Sequence, residues 1–222
     1  MVLVYINSTT GLSKAALETV TYGKKLGGDV TVITNGAASN DVLATLGEYG
    51  AAKVIVDRSV DGEDPQQLAR LIAAVADQVS ASTVIFSHDV YGKAVAPRLS
   101  VRMKAGLVAG AIAIPEGDGS IKVNVFSGKA VGYVKVASEK SIISLLPNSI
   151  QPEKSGSACG VEETSGLAGA SAIKVLETKK PEGNIPLPEA ELVVSAGRGL
   201  KGPENWGMIE DLATALGAAT AC

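Results

Sequence analysis

Apolar positions along the chain alternate between short unbroken runs and stripes at helical spacing, the rhythm of strand followed by helix. Val2-Leu-Val-Tyr-Ile6 is a continuous run of strand-forming residues, as expected for a parallel strand buried on both faces. Leu12, Ala16, Val20, Gly23 and Leu26 then recur at helical spacing, and Gly27-Gly28 stands where that helix should end. Val30-Thr-Val-Ile-Thr34 predicts a second strand. Ser39 or Asn40 predicts the cap of a short helix through Leu46, and Lys53-Val-Ile-Val-Asp57 a third strand. Asp64 as N-cap and Pro65 at the first helical position open the next helix, with Leu68, Leu71, Ile72, Val75 and Val79 as its buried stripe. Thr83-Val-Ile-Phe-Ser87 is the fourth strand, followed by a helix carrying Val95, Leu99 and Met103. Four such alternations in a row predict a parallel sheet with crossover helices.

The rhythm changes after Ala105. Leu107 to Ile114, Ile121 to Phe126, Ala130 to Val136 and Ser141 to Leu146 are strand-like and joined by glycine turns, which predicts an antiparallel addition to the sheet. Residues 147–169 lack periodicity and predict a long loop. Ser171 to Glu177 predicts one more strand, and the three prolines between Lys179 and Pro188 predict a linker. The expected fold is thus α/β, a mostly parallel sheet with helices on both faces and an antiparallel addition. It is followed by the first strand–helix unit of a second α/β domain, giving domains at 1–178 and 190–222 and a linker at 179–189. In the last segment Leu192-Val-Val194 predicts a strand, and a helix places Trp206, Ile209, Leu212, Ala213 and Leu216 on its inner face.

Composition narrows the function. Hydrophobic residues make up 46% and charged residues 19%, enough apolar material for a buried core. Aromatics are only 4%, so that core is built of small aliphatic side chains. A net charge of −3 speaks against nucleic acid as a partner, because no basic excess is available to displace counterions. No apolar run is long enough for membrane insertion, and no signal-peptide pattern follows Met1. Cys159 and Cys222 lack metal-ligand spacing, and a reduced, cytoplasmic chain is expected. No metal site and no catalytic residues are assigned.

Ser195-Ala-Gly-Arg-Gly-Leu-Lys-Gly-Pro-Glu-Asn-Trp206 carries the most chemistry. A strand stops in a glycine turn holding one arginine, and a helix is predicted straight after it. Free N–H groups and a guanidinium at such a place suit phosphate oxygens. The alternative is a plain strand-to-helix connection whose glycines serve backbone geometry alone. Gly197, Gly199 and Gly202 have the spacing of a dinucleotide fingerprint, but no acidic ribose contact follows within the chain. His88 ends the fourth strand at the sheet edge where ligands bind in such folds. Its neighbours Ser87 and Asp89 would point in alternating directions, so no relay is expected. The turn Tyr5–Gly11 lacks the lysine and spacing of a phosphate loop. Lys93, Arg98, Arg102 and Lys104 form a solvated face or a partner surface, and Cys159 has only Lys154 as a cationic neighbour in sequence.

The same glycine turn, followed by Asp211-Leu-Ala213 and Leu216-Gly-Ala218, resembles the opening of the flavin domain of the electron transfer flavoprotein alpha subunit. Tyr91-Gly-Lys-Ala-Val-Ala-Pro-Arg-Leu99 with Gly106-Leu-Val108 resembles that family's stretch after the fourth strand. Gly128-Lys-Ala130 and Leu146-Pro-Asn148 resemble its later strands, so the resemblance spans nearly the whole chain in order. It implies an FAD-dependent electron carrier, not itself an enzyme, that forms a heterodimer with a beta subunit. Electrons would pass one at a time from acyl-CoA dehydrogenase-type donors, as in fatty acid beta-oxidation, to an acceptor. By resemblance Arg198 contacts the FAD pyrophosphate, with Gly197, Gly199 and Leu200 beside it. The family's Ser-Arg pair and later flavin-facing residues would lie beyond Cys222, so a truncated chain that does not retain FAD by itself is expected. The other reading of the residues is an adenine-nucleotide-binding α/β module without a redox role, using the edge formed by Tyr5–Gly11 and His88–Gly92.

Overall fold

The computed structural model describes residues 1–9, 11–60, 62–177, 187 and 190–222. They fall into two compact units, Met1–Lys174 and Val175–Cys222. Most of the predicted linker lies outside the described residues.

In the first unit the alternation is realised as β1 (Val2–Asn7), α1 (Lys14–Lys25), β2 (Val30–Asn35), α2 (Asn40–Ala44), β3 (Lys53–Asp57), α3 (Pro65–Gln78), β4 (Thr83–Ser87) and α4 (Val90–Met103). The caps are those that the sequence offers. Ser13, Ser39, Asp64 and Asp89 each accept a hydrogen bond from a backbone N–H in the first turn of α1, α2, α3 and α4. Gly27 and Gly28, both at positive φ, turn the chain out of α1.

The remaining strands of this unit are β5 (Gly106–Ala111), β6 (Ile121–Val125), β7 (Ala130–Val134), β8 (Ser141–Leu145) and β9 (Gly160–Thr164). They complete a nine-stranded sheet in the order β7-β6-β5-β8-β4-β1-β2-β3-β9. Three expectations change here. β8 inserts between β4 and β5 and is parallel to both, so the antiparallel pairings are β5–β6 and β6–β7, and β6 alone runs against the other strands. The predicted loop at 147–169 contains a strand, because β9 pairs in parallel with the outer edge of β3. Residues 171–177 form no strand. Their start is held by side chains of α3 instead, with Ser171 Oγ donating to the Asp64 carboxylate at 2.9 Å.

The unbroken apolar runs are explained by burial on both faces. Leu3, Tyr5 and Ile33 pack with Leu68, Leu71 and Leu99 on the α3–α4 side. Val2, Val4 and Ile6 pack with Val20, Tyr22 and Leu43 on the α1–α2 side.

The second unit contains β10 (Val193–Ser195), α5 (Gly207–Leu216) and β11 (Ala219–Ala221), with β10 and β11 parallel. In α5, Ala213 is buried and Trp206 and Ile209 are half-buried. Leu212 and Leu216 are about half exposed, so the predicted inner face is only partly covered.

Candidate FAD pyrophosphate site

Beyond the carboxyl end of β10, the Ala196 N–H donates to the Ala221 carbonyl at 3.1 Å and aligns the chain with β11. Residues Arg198–Leu200 then form one 3-10 turn and Pro203–Asn205 a second. The helix therefore does not start straight after the glycines, as predicted, but at Gly207. The donors at this site come from the turn itself. The first turn closes through Leu200 N–H to the Gly197 carbonyl at 3.0 Å and Lys201 N–H to the Arg198 carbonyl at 3.1 Å. The Asn205 side-chain amide clamps it by donating to the Leu200 carbonyl at 2.7 Å.

The N–H groups of Gly197, Arg198 and Gly199 have no acceptor among the described residues. No atom lies within 4 Å of where a methyl group on Gly197 or Gly199 would stand, so the backbone is bare on that side. Arg198 is exposed and pairs with no carboxylate among the described residues. An open hollow of about 320 Å³ is lined by Gly197, Arg198, Leu200, Lys201, Trp206 and Cys222, among others. Unpaired N–H donors and a guanidinium beyond the carboxyl ends of two parallel strands fit an anionic diphosphate group. Of the four residues singled out from the sequence, Gly197, Arg198 and Leu200 line this hollow, and Gly199 stands in the same turn. Lys201, a second cation on the hollow, was missed, although its place in the same glycine turn could have signalled it.

Two family models match the chain in tandem. That of the electron transfer flavoprotein domain matches residues 2–181, and that of the electron transfer flavoprotein FAD-binding domain matches residues 186–222. The chain belongs to the electron transfer flavoprotein family. The glycine turn lies inside the segment matched by the family's FAD-binding domain. Proteins named electron transfer flavoprotein subunit alpha are similar over most of the chain. That of Bacillus subtilis (strain 168) is 29% identical, over 94% of this chain and 67% of its own length. That of Syntrophomonas wolfei is 28% identical, over 97% and 71% respectively, and that of Paracoccus denitrificans 30%, over 86% and 63%. The chain thus spans about two thirds of the length of these relatives.

At the carboxyl edge of the large sheet the polar groups mostly satisfy one another. Tyr5 donates to Asn35 Oδ1 at 2.8 Å, and the Ser8 hydroxyl to the Asn35 carbonyl at 2.6 Å. Thr10 of this turn lies outside the described residues. Burial raises the Tyr5 pKa well above its ordinary value, and the charges of Asp89 and Tyr91 add to this. Ser87, His88 and Asp89 form no relay. His88 Nδ1 lies 2.9 Å from Ser144 Oγ, which itself accepts from the Gly110 N–H at 3.2 Å. The serine proton is therefore free to bond Nδ1. Burial lowers the His88 pKa, helped by Lys93 and opposed by Asp89. Asp89 caps α4, accepting from the Gly92 N–H at 2.8 Å, and burial raises its pKa against the hydrogen bonds it accepts. Cys159 is half-buried and its thiol pKa is pushed up by burial, while Lys154 turns to Glu48 at 2.6 Å. Among the described residues, no helix is long and apolar enough to cross a membrane.

Proposed function

We propose that the chain acts as the alpha subunit of an electron transfer flavoprotein, working as a heterodimer with a beta subunit. It takes electrons from acyl-CoA dehydrogenase-type donors and passes them to an acceptor. Bound FAD supplies the redox chemistry, and the protein binds, orients and shields it. Arg198 would hold the pyrophosphate with its guanidinium, the N–H groups of Gly197 and Gly199 would donate to it, and Leu200 would supply an apolar wall. The observation that carries this is the bare turn whose three N–H donors and arginine have no partner among the described residues, lying within the FAD-domain match. The domain reading of 1–178, 179–189 and 190–222 is supported by the division into two units and by the separate family matches. Two free thiols fit a reducing, cytoplasmic setting.

The test is flavin retention by the heterodimer after gel filtration. Wild type is expected to stay yellow. Arg198→Ala is expected to weaken FAD binding roughly 10- to 100-fold, the usual effect of losing a charged hydrogen-bond donor. Unchanged affinity in Arg198→Ala would remove Arg198 from the site. A colourless wild-type heterodimer that takes up no added FAD would overturn the function itself.

A further inference from the structure

Lys201 closes the turn that Arg198 opens. Its N–H is spent inside the turn, donating to the Arg198 carbonyl at 3.1 Å. Its side chain is exposed, and together with Arg198 it borders the open hollow of about 320 Å³. Neither cation forms an ion pair with a carboxylate among the described residues. The carboxylate nearest in sequence, Glu204, folds back over Gly202, where an added methyl group would meet it, and it does not line the hollow. The lining thus carries two cationic side chains and no acidic one.

The backbone shows that Lys201 is not a chance occupant of this position. It is held at φ 66, in the left-handed region that glycine enters freely and a residue with a Cβ enters at a cost. Glycine stands at 197, 199 and 202, yet none of the three is at positive φ. The one left-handed position between Ala196 and Trp206 is given to a lysine. A turn composed for backbone geometry alone would place glycine there. Strain kept at a residue that borders a ligand hollow points to the side chain as the reason for it.

Charge supplies that reason. A diphosphate diester carries one negative charge on each phosphorus, and Arg198 supplies a single positive charge. The usual further source is the positive end of a helix. Here α5 begins only at Gly207, and none of its residues lines the hollow. Lys201 is the remaining positive charge on the lining. An ammonium with three donors on a flexible stem suits a second phosphate beside one gripped by a planar guanidinium. We infer that Lys201 is the second phosphate-binding cation of this site and neutralises the phosphate that Arg198 does not. This rests on the reading of the hollow as the place of the FAD diphosphate.

The experiment measures the FAD dissociation constant of the flavin-stripped heterodimer by quenching of flavin fluorescence, across a range of potassium chloride concentrations. K201M keeps a stem of similar length and removes the charge. It is expected to weaken FAD binding about tenfold and to flatten its salt dependence. K201R keeps the charge and is expected to regain most of the affinity. K201G removes the charge and relieves the left-handed backbone. It is expected to weaken FAD binding as much as K201M does, while amide exchange of residues 193–206 in the flavin-free protein is no faster than in wild type. A K201M heterodimer with wild-type affinity and salt slope would overturn the assignment. So would K201R binding as weakly as K201M, since the charge would then not be what counts. Faster exchange of the turn in K201G would overturn it too, by making Lys201 a structural residue. A wild-type heterodimer that takes up no FAD would instead bring down the electron-carrier reading, and the role of Lys201 with it.

Discussion

Asp64 shows how much a single side chain joins. One carboxylate oxygen caps α3 by accepting from the Gln66 N–H at 2.8 Å, and the other takes the Ser171 hydroxyl and the Ala172 N–H. Burial by itself pushes the carboxyl pKa up, but the hydrogen bonds from Ser171, Gln66, Gln67 and Ala172 outweigh it and the pKa is lowered. The unfolded chain therefore takes up the proton first as pH falls. The stabilisation is complete above the unfolded value of about 3.9 and is lost as pH drops through the lower folded value. Asp64→Ala is expected to cost about 1–2 kcal/mol at pH 7 by urea denaturation. The gap to wild type should close toward roughly pH 3 and below, and a gap independent of pH would show that the ionised carboxylate is not what matters. The capping role was legible from Asp64-Pro65. The bond to Ser171 was not, because its partner lies 107 residues along the chain.

Elements follow the same division between local pattern and distant partner. The strand-to-helix junction from β4 to α4 depends on Gly92, where an added Cβ would stand 1.8 Å from the Ser87 carbonyl oxygen. That neighbour is backbone and cannot swing aside. Gly92→Ala, which in an open helix would raise stability, is expected here to cost more than about 2 kcal/mol. Thermal unfolding checks this, and a melting temperature equal to or above wild type would show that the junction relaxes freely. β8 and β9 show the limit of pattern. β8 was read correctly as a strand and wrongly as antiparallel, because buried Ile142 and Ile143 fit the interior of either kind of sheet. β9 escaped notice because Gly-Val-Glu-Glu-Thr looks like loop. Its register is fixed by parallel pairing with β3, to which the ion pairs Lys53–Glu162 at 3.3 Å and Arg58–Glu163 at 3.2 Å add modestly. The segment 171–177 has strand composition but adds no strand to the nine-stranded sheet, and its start is bonded to Asp64 instead.

On the scale of the molecule, the two units differ in how they are held. The first has helices on both faces of a nine-stranded sheet and a core that includes Leu3, Val32, Val54 and Ile85 at zero exposure. Among its described residues the second has two strands of three residues, and the buried side chains are Ala190, Ala213 and Ala219, while Met208, Leu212 and Leu216 lie open along α5. Two short strands and one helix bury too little to be stable by themselves. Amide hydrogens of β10, α5 and β11 are therefore expected to exchange at least about 100-fold faster than those of β1, β2 and β4. Equal protection in hydrogen-exchange mass spectrometry would show that the second unit is as firmly held as the first.

The sequence by itself determined the strand–helix alternation, the caps, and a glycine turn composed for an anion, because each is written in neighbouring residues. Only the tertiary structure decided the order of strands, the placing of β8 and β9, and the true start of α5. It alone left the N–H groups of Gly197, Arg198 and Gly199 without an acceptor among the described residues. The physical reason is common to all of these. Local periodicity records how many faces of an element are buried, whereas which neighbour buries them, and which donors remain unpaired, depends on residues far away along the chain.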